Sequence, residues 1–296
     1  MSVQTSIADQ ESKSPRKNKF ALYWPLIKSS QTSLLLLTGV AGYLSAHVGV
    51  NWSHFLQMFP SLFLAIAGST ILNMWWDQDI DSKMKRTHRR PTSAGEVTRE
   101  EVLKLGIIVS VIGIVWAVLV NWLYGIVVFA GLFFDVAVYS MWLKRRTCWS
   151  IVWGGISGAM PILAGRVLAV GHIDMIGILL ASAVLFWIPT HTLTFSLKFK
   201  EDYSNAGVPT FPSTYGEAVT RFAIAFSSVI AALTMGWASV WIGVTAGVLR
   251  VIIVLSAGLF FLAATTVFRP SDRVNFSLFK YASMYMTFAM FLIIPK

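Results

Sequence analysis

Apolar residues in this chain come in long runs rather than in the alternating pattern of a half-buried strand. Nine runs approach the roughly 20 residues that a membrane-crossing helix needs. They fall near 31–49, 55–76, 104–120, 122–142, 150–168, 175–197, 218–238, 250–268 and 277–295. Gly and Pro interrupt some of them, which membrane helices tolerate. The pattern divides least clearly at 120–122 and over 239–249. Trp52, Trp122, Tyr124 and Trp142 lie near predicted ends, where amphipathic rings anchor a helix at the interface. The expected fold is all-α: a polytopic bundle of about nine transmembrane helices around a central cavity.

Composition sharpens this picture. Of 296 residues, 55% are hydrophobic and only 13% are charged, too few to clothe a soluble domain. The single cysteine, Cys148, excludes an intrachain disulfide and reads as an ordinary loop residue. The net charge of +10 raises a nucleic-acid reading. The distribution argues against one, because the basic residues sit in short segments between apolar runs. Residues 1–20 are polar and lack the build of a cleaved signal peptide, so they are expected to form a disordered cytoplasmic tail ahead of one membrane domain, 21–296.

With the N-terminus inside, all 24 Lys and Arg residues except Arg166, Arg250 and Lys296 fall on the cytoplasmic side. This predicts a multi-pass cell-membrane protein with its C-terminus outside. Two inner segments, 77–103 and 198–217, are longer than topology requires. They mix acidic and basic residues and stand four helices apart, a hint of a parallel internal repeat. The concentrated polar chemistry lies on one membrane face.

The first inner segment opens with Asn73-Met-Trp-Trp-Asp77-Gln-Asp79-Ile-Asp81 and continues to Arg86, Arg89, Arg90 and Pro91. Asn73, Asp77 and Asp81 are spaced by four, so a helix running through Asp81 turns all three one way and Asp79 nearly opposite. Mg2+ is commonly held by one or two carboxylates, leaving its other positions to phosphate and water. Asn73 can orient a ligand, and Arg86 and Arg90 can clamp phosphate charge. The plain reading is a solvated loop at a helix end. Three carboxylates in five residues followed by a run of basic ones favour an ion–phosphate site.

The pattern N-x3-D-x3-D, with M-x-R-T-x2-R-P after it, resembles the UbiA superfamily of intramembrane prenyltransferases. Arg86-Thr87-His-Arg89-Arg90-Pro91 looks like its protoheme IX farnesyltransferase branch. So do Tyr139-Ser-Met-Trp-Leu143-Lys144-Arg145-Arg146-Thr147 and Gly154-Gly155-Ile-Ser-Gly158-Ala159-Met160-Pro161. Trp187-Ile-Pro189-Thr-His191 and Asp202-Tyr203-Ser-Asn-Ala-Gly207-Val-Pro209-Thr-Phe-Pro212 follow in the same order. The likeness covers about 25–217, and the last three helices contribute no motif. Lys28 matches the branch's L-x-K-P-R, but Ser29 and Ser30 replace its Pro and Arg. Ser150, Ile162, Thr190 and Thr192 also depart from the pattern, around the acceptor region.

The resemblance implies farnesyl transfer from farnesyl diphosphate to the vinyl group of protoheme IX (heme B), giving heme O and diphosphate, with heme as substrate and Mg2+ as cofactor. It implies Mg2+ on Asp77 and Asp81, and a second Mg2+ on Asp202. Lys28, Lys144, Arg145, Lys198, Tyr139 and Tyr203 are expected to face substrate. Asp202 also reads as a solvated carboxylate. His191 reads either as a heme contact or as a hydrogen-bonded membrane histidine. Asp135, Tyr139 and Trp142 share a helical face and line the pocket or form a structural pair. A quinone-precursor or lipid acceptor is the near alternative, and a secondary transporter the distant one. A membrane partner that handles heme is left open.

Overall fold

A computed structural model describes residues 19–294, and among these every regular element is helical. The expected tail over 1–18 lies outside the described residues, and Lys19 and Phe20 belong to a short helix, Lys19–Tyr23. A 3-10 turn, Trp24–Ile27, leads to Lys28, whose φ of 44° is left-handed. Nine long helices follow: α1 Ser29–Leu44, α2 Trp52–Trp76, α3 Arg99–Val120, α4 Trp122–Phe133, α5 Ser150–Val170, α6 Met175–Lys198, α7 Phe211–Ile242, α8 Ala246–Phe268 and α9 Asp272–Leu292. α4 continues without a break into a π-helix, Phe134–Leu143. Seven of the nine are long and apolar enough to cross a membrane; α1 and α9 are not among them.

The boundaries have local causes. Asn121 ends α3 in extended backbone, and its side chain accepts from the first N–H groups of α4, so the predicted division at 120–122 is a capped turn. The unclear stretch 239–249 holds one break. α7 runs on to Ile242 and stops at Gly243, whose φ of 79° is cheap for glycine. A short Thr210-capped turn opens α7 at Phe211, and Gly216 (φ 82°, ψ 171°) kinks it, so the long run of the helix starts beside the expected 218.

Small residues let the helices meet. A Cβ on Gly42 would fall onto the Ile162 carbonyl, and one on Gly165 onto the Gly39 carbonyl, so α1 and α5 touch backbone to backbone. α2 packs most extensively on α3, and α6 on α7. These pairs stand four helices apart, and each pair is joined by one of the two long polar loops, in line with the expected repeat.

Exposed Ile107, Val111, Val115 and Phe261 show that much of the outer surface is apolar. Inside lies a cavity of about 570 Å3, walled by α1, α2, α4, α5, α6 and α9.

Candidate active site

α2 ends at Trp76, and Asp77 takes a φ of −87° and ψ of 6° before a short helix, Gln78–Lys83. The hydrogen-bond ladder nevertheless crosses the junction. Asp77 N–H donates to Asn73 O at 2.9 Å, and Asp81 N–H to Asp77 O at 2.8 Å. The four-residue spacing therefore keeps its meaning. Asn73, Asp77 and Asp81 are buried together, whereas the Asp79 side chain is 57% exposed.

Each buried carboxylate meets one cation. Lys144 Nζ donates to Asp77 Oδ2, and Arg90 Nη1 lies 2.5 Å from Asp81 Oδ2. The second oxygen of Asp77, Oδ1, is buried and has no hydrogen-bond partner. A buried, unpaired carboxylate oxygen is costly unless something comes to fill it. Burial alone would lower the Lys144 pKa. The Tyr139 phenol and Asp77 outweigh it, and the net push is upward. Lys28 stands close enough to feel the same groups. Burial, then the positive charge of Arg90 and Lys144, draws it down to about 8, against Asp135 and Asp77.

The π-helix supplies the opposite wall. Its i→i+5 bonding widens each turn, as in Lys144 N–H to Tyr139 O at 2.8 Å. That register turns Asp135, Tyr139, Ser140 and Lys144 inward. It corrects the expected Asp135–Tyr139–Trp142 face: Trp142 is exposed, and buried Ser140 takes the inward place. Ser140 Oγ donates to Asn73 Oδ1 at 2.8 Å, and Asn73 Nδ2 donates to Asp135 Oδ2 at 2.7 Å. Ser69 Oγ adds a 2.5 Å bond to that same oxygen. The Asn73 amide is thus held in one orientation. Ser69 and Ser140 were not singled out from the sequence. Ser69 was findable, because it precedes Asn73 by four and extends the same series.

Other expected site residues sit elsewhere. Arg145 forks onto Asp79 with bonds of 2.6 and 2.7 Å, on the side away from Asp77 and Asp81. This bond and the positive charge hold the Asp79 carboxyl down at about 2. Arg86 lies over Phe195, 5.1 Å from its ring centre, and Lys198 over Phe276 at 4.1 Å. Both side chains thus rest on aromatic rings near the end of α6 and the start of α9, not on a carboxylate. Asp202 and Tyr203 are half-buried on a short helix, Lys200–Asn205. Tyr203 packs on a cluster of Ile80, Met84, Ala206 and Val208 that locks the two polar loops together. Cys148 is buried and free.

The cavity joins this polar end at Asp135 and Tyr139, and is otherwise mostly apolar, with Leu34, Leu62, Ile66 and Val128 in its walls. His191 also faces it. Its ring is stacked between Trp187 and Phe279, with centroids 5.0 and 4.5 Å away, and its Nδ1 lies 3.1 Å from Ser283 Oγ.

An apolar chamber inside a helical bundle, ending at Asp135 and Tyr139 next to paired carboxylates and cations, is the arrangement expected of an intramembrane prenyltransferase. The comparisons agree, and the chain belongs to the UbiA prenyltransferase family, which matches residues 34–290. It is therefore an integral membrane enzyme. A protoheme IX farnesyltransferase of Archaeoglobus fulgidus is 40% identical over 266 residues, covering 89% of this chain and 93% of that protein. One from Pyrobaculum neutrophilum is 33% identical, covering 90% and 96%. Among solved structures, a digeranylgeranylglyceryl phosphate synthase aligns with a TM-score of 0.79 at 19% identity, over 93% of this chain and 97% of that one. A UbiA homologue from Archaeoglobus fulgidus bound to DMAPP and Mg2+ aligns with a TM-score of 0.70 at 14% identity, over 92% and 99%.

Proposed function

We propose that this enzyme transfers a farnesyl group from farnesyl diphosphate to a vinyl group of protoheme IX, giving heme O and diphosphate. The observation that carries the reading is the junction of an apolar chamber with Asn73, Asp77 and Asp81 aligned beside Lys144 and Arg90. The curated relatives named protoheme IX farnesyltransferase favour heme as the acceptor over a quinone precursor or a lipid.

The donor set suits Mg2+. Among the described residues no group of three or more His, Cys, Asp or Glu side chains lies together, so protein ligands would be few. Two carboxylates one turn apart, one with a buried unpartnered oxygen, match an ion that keeps its other positions for phosphate and water. Asp77 and Asp81 would hold it, and Asp202, apart on the second loop, would be left to a second Mg2+. Bound there, the ion neutralises diphosphate charge and makes it a better leaving group.

The chain's own residues do the rest. Lys144, Arg90 and Lys28 face the departing diphosphate with fixed positive charge, which acts strongly where water is scarce. Asn73, locked by Asp135 and Ser140, presents its remaining N–H without reorganising. The carbon–oxygen bond of the donor breaks, and its electron pair leaves with the diphosphate. The vinyl π electrons form the new carbon–carbon bond, and water adds to the cation left beside the macrocycle and loses a proton to the departing diphosphate, completing the hydroxyethyl group. Tyr139 and the apolar walls shelter the allylic cation from early hydrolysis. The bias of Lys and Arg toward one side favours a cytoplasmic position for this face, both long loops and the N-terminus, with the C-terminus outside.

The test is the mass of the heme made when the chain is expressed in a membrane lacking its own heme O synthase. A farnesylated, hydrated product supports the reading. Alkylation only of an aromatic acid or a lipid acceptor overturns the acceptor. Substrate flux with no chemical product would place the chain among transporters.

A further inference from the structure

Two cations at the Asp77 end have no place in the mechanism above. Lys198 closes α6, and Lys280 lies in the third turn of α9. Both ammonium groups stand over the ring of Phe276, at 4.1 and 4.6 Å from its centre. Among the described residues neither lysine makes an ion pair. Lysines at a membrane face commonly extend toward water as anchors, each on its own. Here two like charges from different helices converge on one ring. Such an arrangement asks for an anion between or above them.

Their position in the bundle says which anion. On α9, Phe276, Lys280, Ser283, Thr287 and Met290 follow one another at helical spacing, and the last three line the cavity. On α6, Ile188, His191 and Thr192 line the same cavity, and Lys198 lies near the end of that helix. Between the two helices four rings are stacked in series. Trp187, His191, Phe279 and Phe276 have successive centroid separations of 5.0, 4.5 and 6.0 Å and interplanar angles of 27°, 27° and 6°. The series thus runs from Trp187 and His191 in the cavity lining to exposed Phe276, which lies under the ammonium groups of two exposed lysines.

We propose that Lys198 and Lys280 bind the carboxylates of the acceptor, so that this series of rings is an acceptor-binding surface and not part of the donor site. This rests on the protoheme reading. The macrocycle is planar and carries its two propionates on one edge and its vinyl groups across the ring. With the propionates on the lysines, one face of the macrocycle lies along the series and the vinyl edge points toward Asp135 and Tyr139, where the cavity meets the diphosphate end. Asp77, Asp81, Lys144 and Arg90 are left to the donor.

The experiment uses the full-length enzyme in detergent, with protoheme or its dimethyl ester as acceptor and farnesyl diphosphate as donor. The Lys198→Ala/Lys280→Ala enzyme is expected to show a KM for protoheme raised about tenfold or more, since charge-assisted bonds are lost. Its KM for farnesyl diphosphate should stay unchanged, which also reports that it is folded. The Lys198→Arg/Lys280→Arg enzyme should recover most of the affinity. Wild type should use the dimethyl ester as poorly as the alanine variant uses protoheme, and the variant should no longer distinguish the two. Equal use of acid and ester by wild type overturns the inference, as does a defect confined to the donor KM. If wild type farnesylates neither acceptor, the protoheme reading falls, and that outcome is separate from the first two.

Discussion

The bundle carries a buried ionic cluster at each end, and the two are built to different standards. Away from Asp77, Arg166 of α5 is nearly inaccessible. Its Nε and Nη2 donate to the Asp174 carboxylate at 2.7–3.1 Å, and its Nη1 donates to Ser45 O and Oγ at 2.6 and 3.0 Å. Every nitrogen of the guanidinium is used. Asp174 also caps α6 through Gly177 N–H, so the cluster ties the ends of α1, α5 and α6 together. At the other end Asp77 keeps a buried oxygen with no partner, and Lys28, Lys144 and Arg90 crowd around Asp77 and Asp81. A cluster that closes on itself serves the fold. One that leaves an acceptor open and gathers positive charge is shaped for something absent from the chain itself.

The largest expected effect comes from the open cluster. Asp77→Asn keeps the side-chain shape and removes the charge, and it should lower kcat/KM on the order of 10³-fold or more. Heme product per milligram of folded enzyme measures it. A variant with near wild-type turnover would remove the distinction between the two ends. Arg166→Met should do the opposite. It strands a partly buried carboxylate and should cost about 2–4 kcal/mol of stability, read as a lower thermal midpoint in detergent. Turnover per folded molecule should stay within about twofold, because the sites are far apart.

A finer test lies within the open end. Ser140→Ala removes one of the bonds that orient the Asn73 amide. The loss of about 1 kcal/mol should appear as a roughly fivefold fall in kcat, with little change in KM for the donor. A change in donor KM alone would mean that Asn73 serves binding and not the departing charge.

How much of this was legible in sequence depended on range. The nine apolar runs gave the helices because lipid demands long unbroken segments, and the N-x3-D-x3-D spacing survived because the hydrogen-bond ladder crosses Asp77. Side-chain pairings were not legible. Lys144 and Arg145 are adjacent, yet one enters the site to meet Asp77 and the other stays outside on Asp79. Which goes where is decided by the π-helix before them, and a wide turn leaves no mark in a pattern read at 3.6 residues. The same turn sent Trp142 outward and Ser140 inward. Arg166 read as a stray outer charge, since its partners Ser45 and Asp174 belong to different connections.

The smallest effect is expected at Asp79, which looks like its neighbours in sequence and behaves like neither cluster. Its side chain is largely exposed and paired with Arg145, so solvent screens much of the attraction. Asp79→Ala should leave turnover within about threefold of wild type, since the carboxylate points away from Asp77 and Asp81. The pair's contribution to stability has a defined pH window. The folded pKa is about 2 against an ordinary 3.8, so the contribution is complete above pH 3.8 and fades as pH falls toward 2. The stability gap between wild type and Arg145→Gln should therefore be constant above that range and close below it, followed by thermal unfolding across pH. If Asp79→Ala instead silences the enzyme as fully as Asp77→Asn, then Asp79 belongs with the open cluster, and the two faces of the short helix after Asp77 do not divide the work.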